Sequence, residues 1–125
     1  MLGYATLVAW AITIAVGLQM HGVKRLPVGI VLPHAALAVT GPIVWIVYLA
    51  DDQPATLGWI AVVWAIVVNA LGDAANVRRW KRKADGGLGL LGTYVQRLRA
   101  RPIVFVHAVL AGVTTGLAIV TVVVA

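Results

Sequence analysis

Two histidines in apolar surroundings are the residues of this chain best suited to chemistry. Each begins a similar run of small and aliphatic residues, His34-Ala35-Ala36-Leu37-Ala38 and His107-Ala108-Val109-Leu110-Ala111. Imidazole is the commonest metal ligand in proteins and also binds haem iron. If both runs are helices that cross one membrane, the two imidazoles together would be able to ligate a metal ion or a haem iron.

A second polar set lies at helical spacing in an otherwise aliphatic run. Asn69, Asp73 and Asn76 stand at positions i, i+4 and i+7, which places them on one face of a helix. Because a carboxylate is costly against lipid, we expect this face to point inward. His34 or His107 would then be the partner of Asp73, which would orient a ligating imidazole through its distal N–H.

Two other roles for Asp73 stay open. It is close in sequence to Arg78 and Arg79, so an interfacial salt bridge or a local cap is one alternative. In the other, Asp73 lies on the polar path of a small transporter or channel. The chain resembles small multidrug-resistance transporters in size, but these carry a glutamate in the first helix, and this chain has no glutamate.

The composition places these residues in a membrane protein. Of 125 residues, 62% are hydrophobic and 11% are charged. A chain with this composition has more apolar surface than a small soluble domain would bury. The chain has no cysteine and its only acids are four aspartates, so thiolate chemistry is excluded and little material remains for paired carboxylates. We therefore do not expect an enzyme.

Four apolar runs have the length needed to cross a bilayer. They predict an all-α integral membrane four-helix bundle, a single domain over residues 1–125 with spans at about 2–20, 28–49, 56–77 and 103–125. All ten Lys and Arg residues lie in the connections 21–27 and 78–102. Since basic loops resist translocation, both connections are predicted to be cytoplasmic and both termini outside, in a bacterial-type inner membrane.

Aromatic and basic residues are expected at the two membrane surfaces. Trp45, Tyr48 and Trp59 flank the short acidic turn and are predicted to form an outer aromatic belt. The basic loop 78–102 is expected to contact anionic lipid headgroups rather than nucleic acid. Within this loop, residues 93–100 are predicted to form either a short basic surface helix or a linker.

A short internal repeat links the four spans. Trp10-Ala11-Ile12 recurs as Trp64-Ala65-Ile66, and the His34 run recurs as the His107 run. Two similar hairpins related by a two-fold axis along the membrane normal are one interpretation, and chance similarity in a biased composition is the other. Under the first, the two imidazoles, roughly 9 Å and 6 Å from the cytoplasmic ends of their spans, would face each other.

The paired histidines on the second and fourth helices resemble those of membrane b-type cytochromes, which include cytochrome b561-like proteins and dehydrogenase membrane anchors. The resemblance covers the architecture and two residues. It implies that His34 and His107 are the axial ligands of one haem b, with Arg78, Arg79 or Lys24 near the propionates. The chain has no histidine pair for a second haem in the outer leaflet.

Two main classes of function follow from these patterns. One is a small, non-catalytic membrane protein that acts as an accessory subunit, an assembly factor or a homo-oligomer. The other is a protein that binds haem or a metal ion through His34 and His107. The small residues around the histidines agree with both classes, because they allow close helix packing and also leave room for a cofactor.

Overall fold

The computed structural model describes residues 1–20, 28–81, 92, 95 and 101–125, and for residues 77–81 it describes the backbone alone. Most of these residues belong to four α-helices. Their bounds are α1 Leu2–Gln19, α2 Val28–Ala50, α3 Ala55–Lys81 and α4 Pro102–Val124. Each is long and apolar enough to cross a bilayer, α3 over Ala55–Asn76. The predicted all-α four-helix fold is confirmed. Apart from residue 95, the predicted segment 93–100 lies outside the described residues, as do Lys24 and the side chains of Arg78 and Arg79.

The turn between α2 and α3 is tight and is closed by backbone hydrogen bonds. Asp52 and Gln53 have φ of 50° and 58°, in the left-handed region that favours glycine. The Gln53 N–H donates to the Tyr48 carbonyl at 3.1 Å, and the Asp51 N–H donates to the Val47 carbonyl at 3.0 Å. The first of these bonds spans six residues, as in a common helix C-terminal motif, and the chain reverses here into α3.

The helix that packs most closely against another is not always its neighbour in sequence. The most extensive contacts are those of α2 with α3 and of α1 with α4, whereas the contact between α1 and α2 is much smaller. Gly3 near the start of α1 lies against Leu49 of α2 and Thr121 of α4. Both termini and the α2–α3 turn therefore share one end of the bundle, the termini end, and the two basic connections leave from the other, the basic end.

An aromatic core fills the half of the bundle nearer the termini end. Trp45 is fully buried, and its Nε1–H donates to the Gly3 carbonyl at 2.9 Å. Its ring centroid lies 6.4 Å from that of Trp10 and 4.8 Å from that of Tyr48. These rings pack with small and aliphatic residues of α3 and α4, namely Ala61, Val62, Ala65, Ala118 and Val122.

This core corrects the predicted outer belt. Trp45 and Tyr48 are inside the protein, whereas Trp59 is 47% exposed. Two glycines make room for these rings: Gly41 of α2 lies directly against the Trp10 ring, which is next to Trp45, and Gly58 of α3 lies against Tyr48. Because neither glycine has a side chain, the large rings occupy the interior instead of the membrane surface.

Two pairs of threonine hydroxyls join α1 to α4. The Oγ1 atoms of Thr6 and Thr121 are 3.2 Å apart, and those of Thr13 and Thr114 are 3.1 Å apart. Each hydroxyl is also within hydrogen-bond distance of the carbonyl four residues earlier in its own helix. One hydroxyl of each pair is thus able to donate across the interface while the other donates within its helix.

Candidate metal centre

The two predicted histidines face each other inside the bundle. His34 lies six residues after the first residue of α2, and His107 lies five after the first residue of α4. Their ring centroids are 6.2 Å apart, and the ring planes make an angle of 77°. Both side chains are half-buried. The two histidines, which the sequence placed at similar depths in their helices, therefore form a close pair of imidazoles nearer the basic end.

Each ring is held by one hydrogen bond to a neighbouring helix. His34 Nδ1 is 2.9 Å from the Val68 carbonyl of α3, and His107 Nδ1 is 3.1 Å from the Thr13 carbonyl of α1. A carbonyl oxygen only accepts, so in both rings Nδ1 carries the hydrogen and donates it. In the neutral imidazole, Nε2 then keeps its lone pair, as in metal-binding histidines whose other N–H is bonded to a carbonyl.

A glycine makes each of these hydrogen bonds accessible. A Cβ built on Gly17 would lie 2.9 Å from Cε1 of His107, and one on Gly72 would lie 3.1 Å from Cε1 of His34. Each glycine stands four residues after the residue whose carbonyl accepts the bond. In a helix the side chain at this position covers the approach to that carbonyl, so its absence lets the imidazole approach.

The two contacts correspond when α1 is exchanged with α3 and α2 with α4, which agrees with a two-fold repeat. The residue offset of the sequence repeat, however, differs by one from the offset that relates the two contacts. Thr13 and Val68 are 55 residues apart, whereas Trp10 and Trp64 are 54 apart. Accordingly Trp10 is buried, while Trp64 is half-buried and donates its Nε1–H to the Leu37 carbonyl at 3.0 Å.

A small cavity of about 30 Å³ lies between the helices at the level of the histidines. Its polar lining consists of His34, His107, Thr13, Asn69, Thr114 and Thr115. Asn69 Nδ2 donates to Thr115 Oγ1 at 2.9 Å, which links α3 to α4 beside the rings. This space is enough for a water molecule or a single ion.

Haem does not fit the interior as the helices pack. Ligands of that size occupy pockets of several hundred Å³, and the cavity beside the histidines is about a tenth of that. The Thr13–Thr114 and Asn69–Thr115 hydrogen bonds also close the interfaces that line it. The axial-ligand role of the histidines and the propionate roles of Arg78, Arg79 and Lys24 therefore stay predictions of the resemblance.

The predicted polar stripe divides between the interior and the surface. Asn69 points into the bundle and also lies 3.4 Å from the Ala111 carbonyl, and Asn76 is half-buried, but Asp73 is exposed. Gly72 takes the inward position at this turn of α3 and lies against His34, so the next residue is turned away by about 100°. Both histidines donate to backbone carbonyls rather than to the Asp73 carboxylate.

Several residues of the site were absent from the sequence interpretation. The threonines had a visible signal, because Thr6 and Thr13 are seven residues apart, as are Thr114 and Thr121, so each pair lies on one helix face. The glycines beside the rings had none, since their role depends on which helices become neighbours. Among the described residues no group of three or more His, Cys, Asp or Glu side chains converges. The pair of imidazoles is thus the donor set that the described interior offers.

Comparisons with protein-family models, with curated proteins and with solved structures give no match to this chain. The fold and the composition together define a small all-helical protein with four candidate membrane spans. What it binds has to be argued from its own residues.

Proposed function

We propose that this protein is a small, non-catalytic membrane protein that binds one metal centre between His34 and His107. The observation that carries the proposal is the matched anchoring of the two rings, each of which donates its Nδ1–H to a carbonyl of a neighbouring helix. This arrangement fixes the tautomer and leaves one nitrogen lone pair on each ring.

The ring separation supports the same function. Two imidazoles that bind one ion from opposite sides, with metal–nitrogen bonds of about 2 Å, have ring centroids roughly 6 Å apart. The observed separation is 6.2 Å. The two rings are therefore at the separation that a shared ion requires, which favours affinity.

The position of the pair suggests from which side the metal arrives. Both histidines are nearer the basic end, where the connections carry all ten Lys and Arg residues. Under the positive-inside rule this end is cytoplasmic and the termini are outside. The centre would then exchange its metal with the cytoplasm of a bacterial-type cell.

Metal analysis of the purified protein tests the proposal. The full chain is reconstituted in nanodiscs, offered copper(I), zinc(II) or haem, desalted and assayed for bound metal and for absorbance. Wild type is expected to retain one centre per chain, and His34→Ala and His107→Ala are expected to lose it. His21→Ala, which removes the third histidine of the chain, is the matched control. Wild type that retains no centre would contradict the proposal.

An accessory role in a larger membrane assembly is a second candidate, favoured by a groove on the outer surface. The groove measures about 530 Å³ and is lined by Leu37, Thr56, Trp59, Ile60, Val63, Trp64 and Val67. An apolar concavity of this size between α2 and α3 would accept side chains of a further transmembrane helix, held there by van der Waals packing. Val63→Trp would fill it, so native mass spectrometry should show less of any complex formed by wild type. Identical spectra would argue against the groove as an interface.

A further inference from the structure

The metal centre proposed above takes a particular class of ion. We infer that His34 and His107 hold one monovalent, soft ion of the copper(I) class by two imidazole nitrogens in a nearly linear arrangement, without a porphyrin. The inference rests on the proposed function and narrows it. Ligand charge, ligand number, geometry and space support it independently.

Ligand charge favours a monovalent ion. The cavity lining contains histidine, threonine and asparagine side chains but no carboxylate, and the Asp73 side chain is exposed on α3. Two neutral imidazoles leave the whole charge of the ion uncompensated in an apolar interior. Since the cost of burying charge rises steeply with its magnitude, one positive charge is tolerated far better than two.

Ligand number and geometry exclude the usual zinc site. Structural zinc takes four protein ligands in a tetrahedron, and catalytic zinc takes three, whereas the described interior converges two. Tetrahedral angles would also bring the rings closer together than the observed 6.2 Å. A d¹⁰ ion with one charge accepts two opposed nitrogen ligands, and imidazole is among the ligands that suit copper.

The space beside the rings accommodates an ion but not a macrocycle. The cavity of about 30 Å³ is bordered by the Thr13–Thr114 and Asn69–Thr115 pairs. A flat cofactor would require α4 to separate from α1 or from α3 at these bonds. A bare ion requires neither, because the ring centroids already stand 6.2 Å apart, the separation that two imidazoles on one ion need.

Anaerobic competition titration tests the inference on the full chain in nanodiscs. Copper(I) is supplied as its complex with bicinchoninate, whose colour reports transfer to the protein, and zinc(II) and haem are titrated in parallel. Wild type is expected to take up one copper(I) per chain, and X-ray absorption should show two nitrogen neighbours. His34→Ala and His107→Ala should weaken binding by at least about 100-fold, since lesser changes around a site already cost 10- to 100-fold.

Two controls keep the result interpretable. His21→Ala should bind as wild type, and His107→Gln, which keeps a hydrogen-bonding side chain of similar size, separates loss of ligation from loss of folding. Uptake of haem or zinc at the histidine pair without copper(I) would overturn this inference and leave the proposed function intact. Absence of any centre in wild type, or copper(I) retained in both alanine variants, would overturn both.

Discussion

At the residue scale, each half of the site is a histidine, a carbonyl and a glycine four residues further on. His107 pairs with Thr13 and Gly17, and His34 pairs with Val68 and Gly72. The glycine carries no chemistry, yet it decides whether the ring reaches the carbonyl. The orientation of each imidazole, and of the nitrogen proposed to bind metal, therefore depends on a residue of another helix.

Gly17→Ala should weaken metal binding while the protein still folds. The added Cβ would lie 2.9 Å from Cε1 of His107, so the ring has to shift away from the Thr13 carbonyl. We expect affinity to fall by about 10- to 100-fold, as for other changes that disturb the orientation of a ligand. The measurement is the same competition titration, with helicity followed by circular dichroism.

Gly116→Ala is the control for this change, because a Cβ there meets no described atom within 4 Å. It should bind metal as wild type does. Equal affinities of the Gly17→Ala and Gly116→Ala variants would show that ring orientation does not depend on the glycine.

The Thr13–Thr114 hydroxyl pair should contribute measurably to stability. Replacing either residue by Val removes one hydroxyl and keeps the shape, so a double-mutant cycle isolates the bond across the interface. Hydrogen bonds between membrane helices have coupling energies of about 0.6 kcal/mol. Unfolding of the four proteins in mixed micelles measures this energy, and strictly additive effects would mean that the hydroxyls are not coupled.

At the element scale, α2 depends on a glycine opposite a tryptophan. A Cβ on Gly41 would overlap the Trp10 ring, which is itself buried beside Trp45. Gly41→Ala should lower the free energy of unfolding by about 1–3 kcal/mol, the usual cost of overpacking a core. Gly29→Ala, in the same helix but without described atoms within 4 Å of the new Cβ, should stay within about 0.5 kcal/mol of wild type.

The turn that ends α2 offers a test of backbone strain. Asp52 has φ of 50°, where an L-residue is disfavoured by roughly 1–2 kcal/mol and glycine is not. After the greater entropy of an unfolded glycine is subtracted, Asp52→Gly should stabilise the protein by about 0.5 kcal/mol. Thermal unfolding of Asp51→Gly should show the opposite sign, because Asp51 is not among the described positive-φ residues. A loss of stability on Asp52→Gly would contradict the strain argument.

The sequence predicts helices better than it predicts which side each helix buries. The four spans follow from apolar runs alone, and α1, α2 and α4 begin and end within one or two residues of the predicted limits. The interior positions of Trp45 and Tyr48 and the exposed position of Asp73 do not follow from them. On helices that are apolar all round, these orientations depend on contacts between helices, such as Tyr48 against Gly58 and His34 against Gly72, which exist only after assembly.

At the scale of the whole molecule, the orientation in the membrane is directly testable because the chain has no cysteine. Single cysteines placed at Gln53 and at Lys24 would report opposite ends of the bundle. From the positive-inside rule we expect a membrane-impermeant maleimide to label Gln53→Cys in intact cells. Lys24→Cys should be labelled only after the membrane is permeabilised, and the reverse pattern would invert the proposed topology.

The pairing of α1 with α4 has a consequence for biosynthesis. The ribosome produces α1 first and α4 last, so the first helix enters the membrane long before its main partner exists, whereas α2 and α3 pair as soon as both have emerged. The His34–Val68 contact is thus available early, and the His107–Thr13 contact only when translation is nearly complete. A nascent chain therefore has one half of the site, and the ion of the proposed centre would enter only at the last step of assembly.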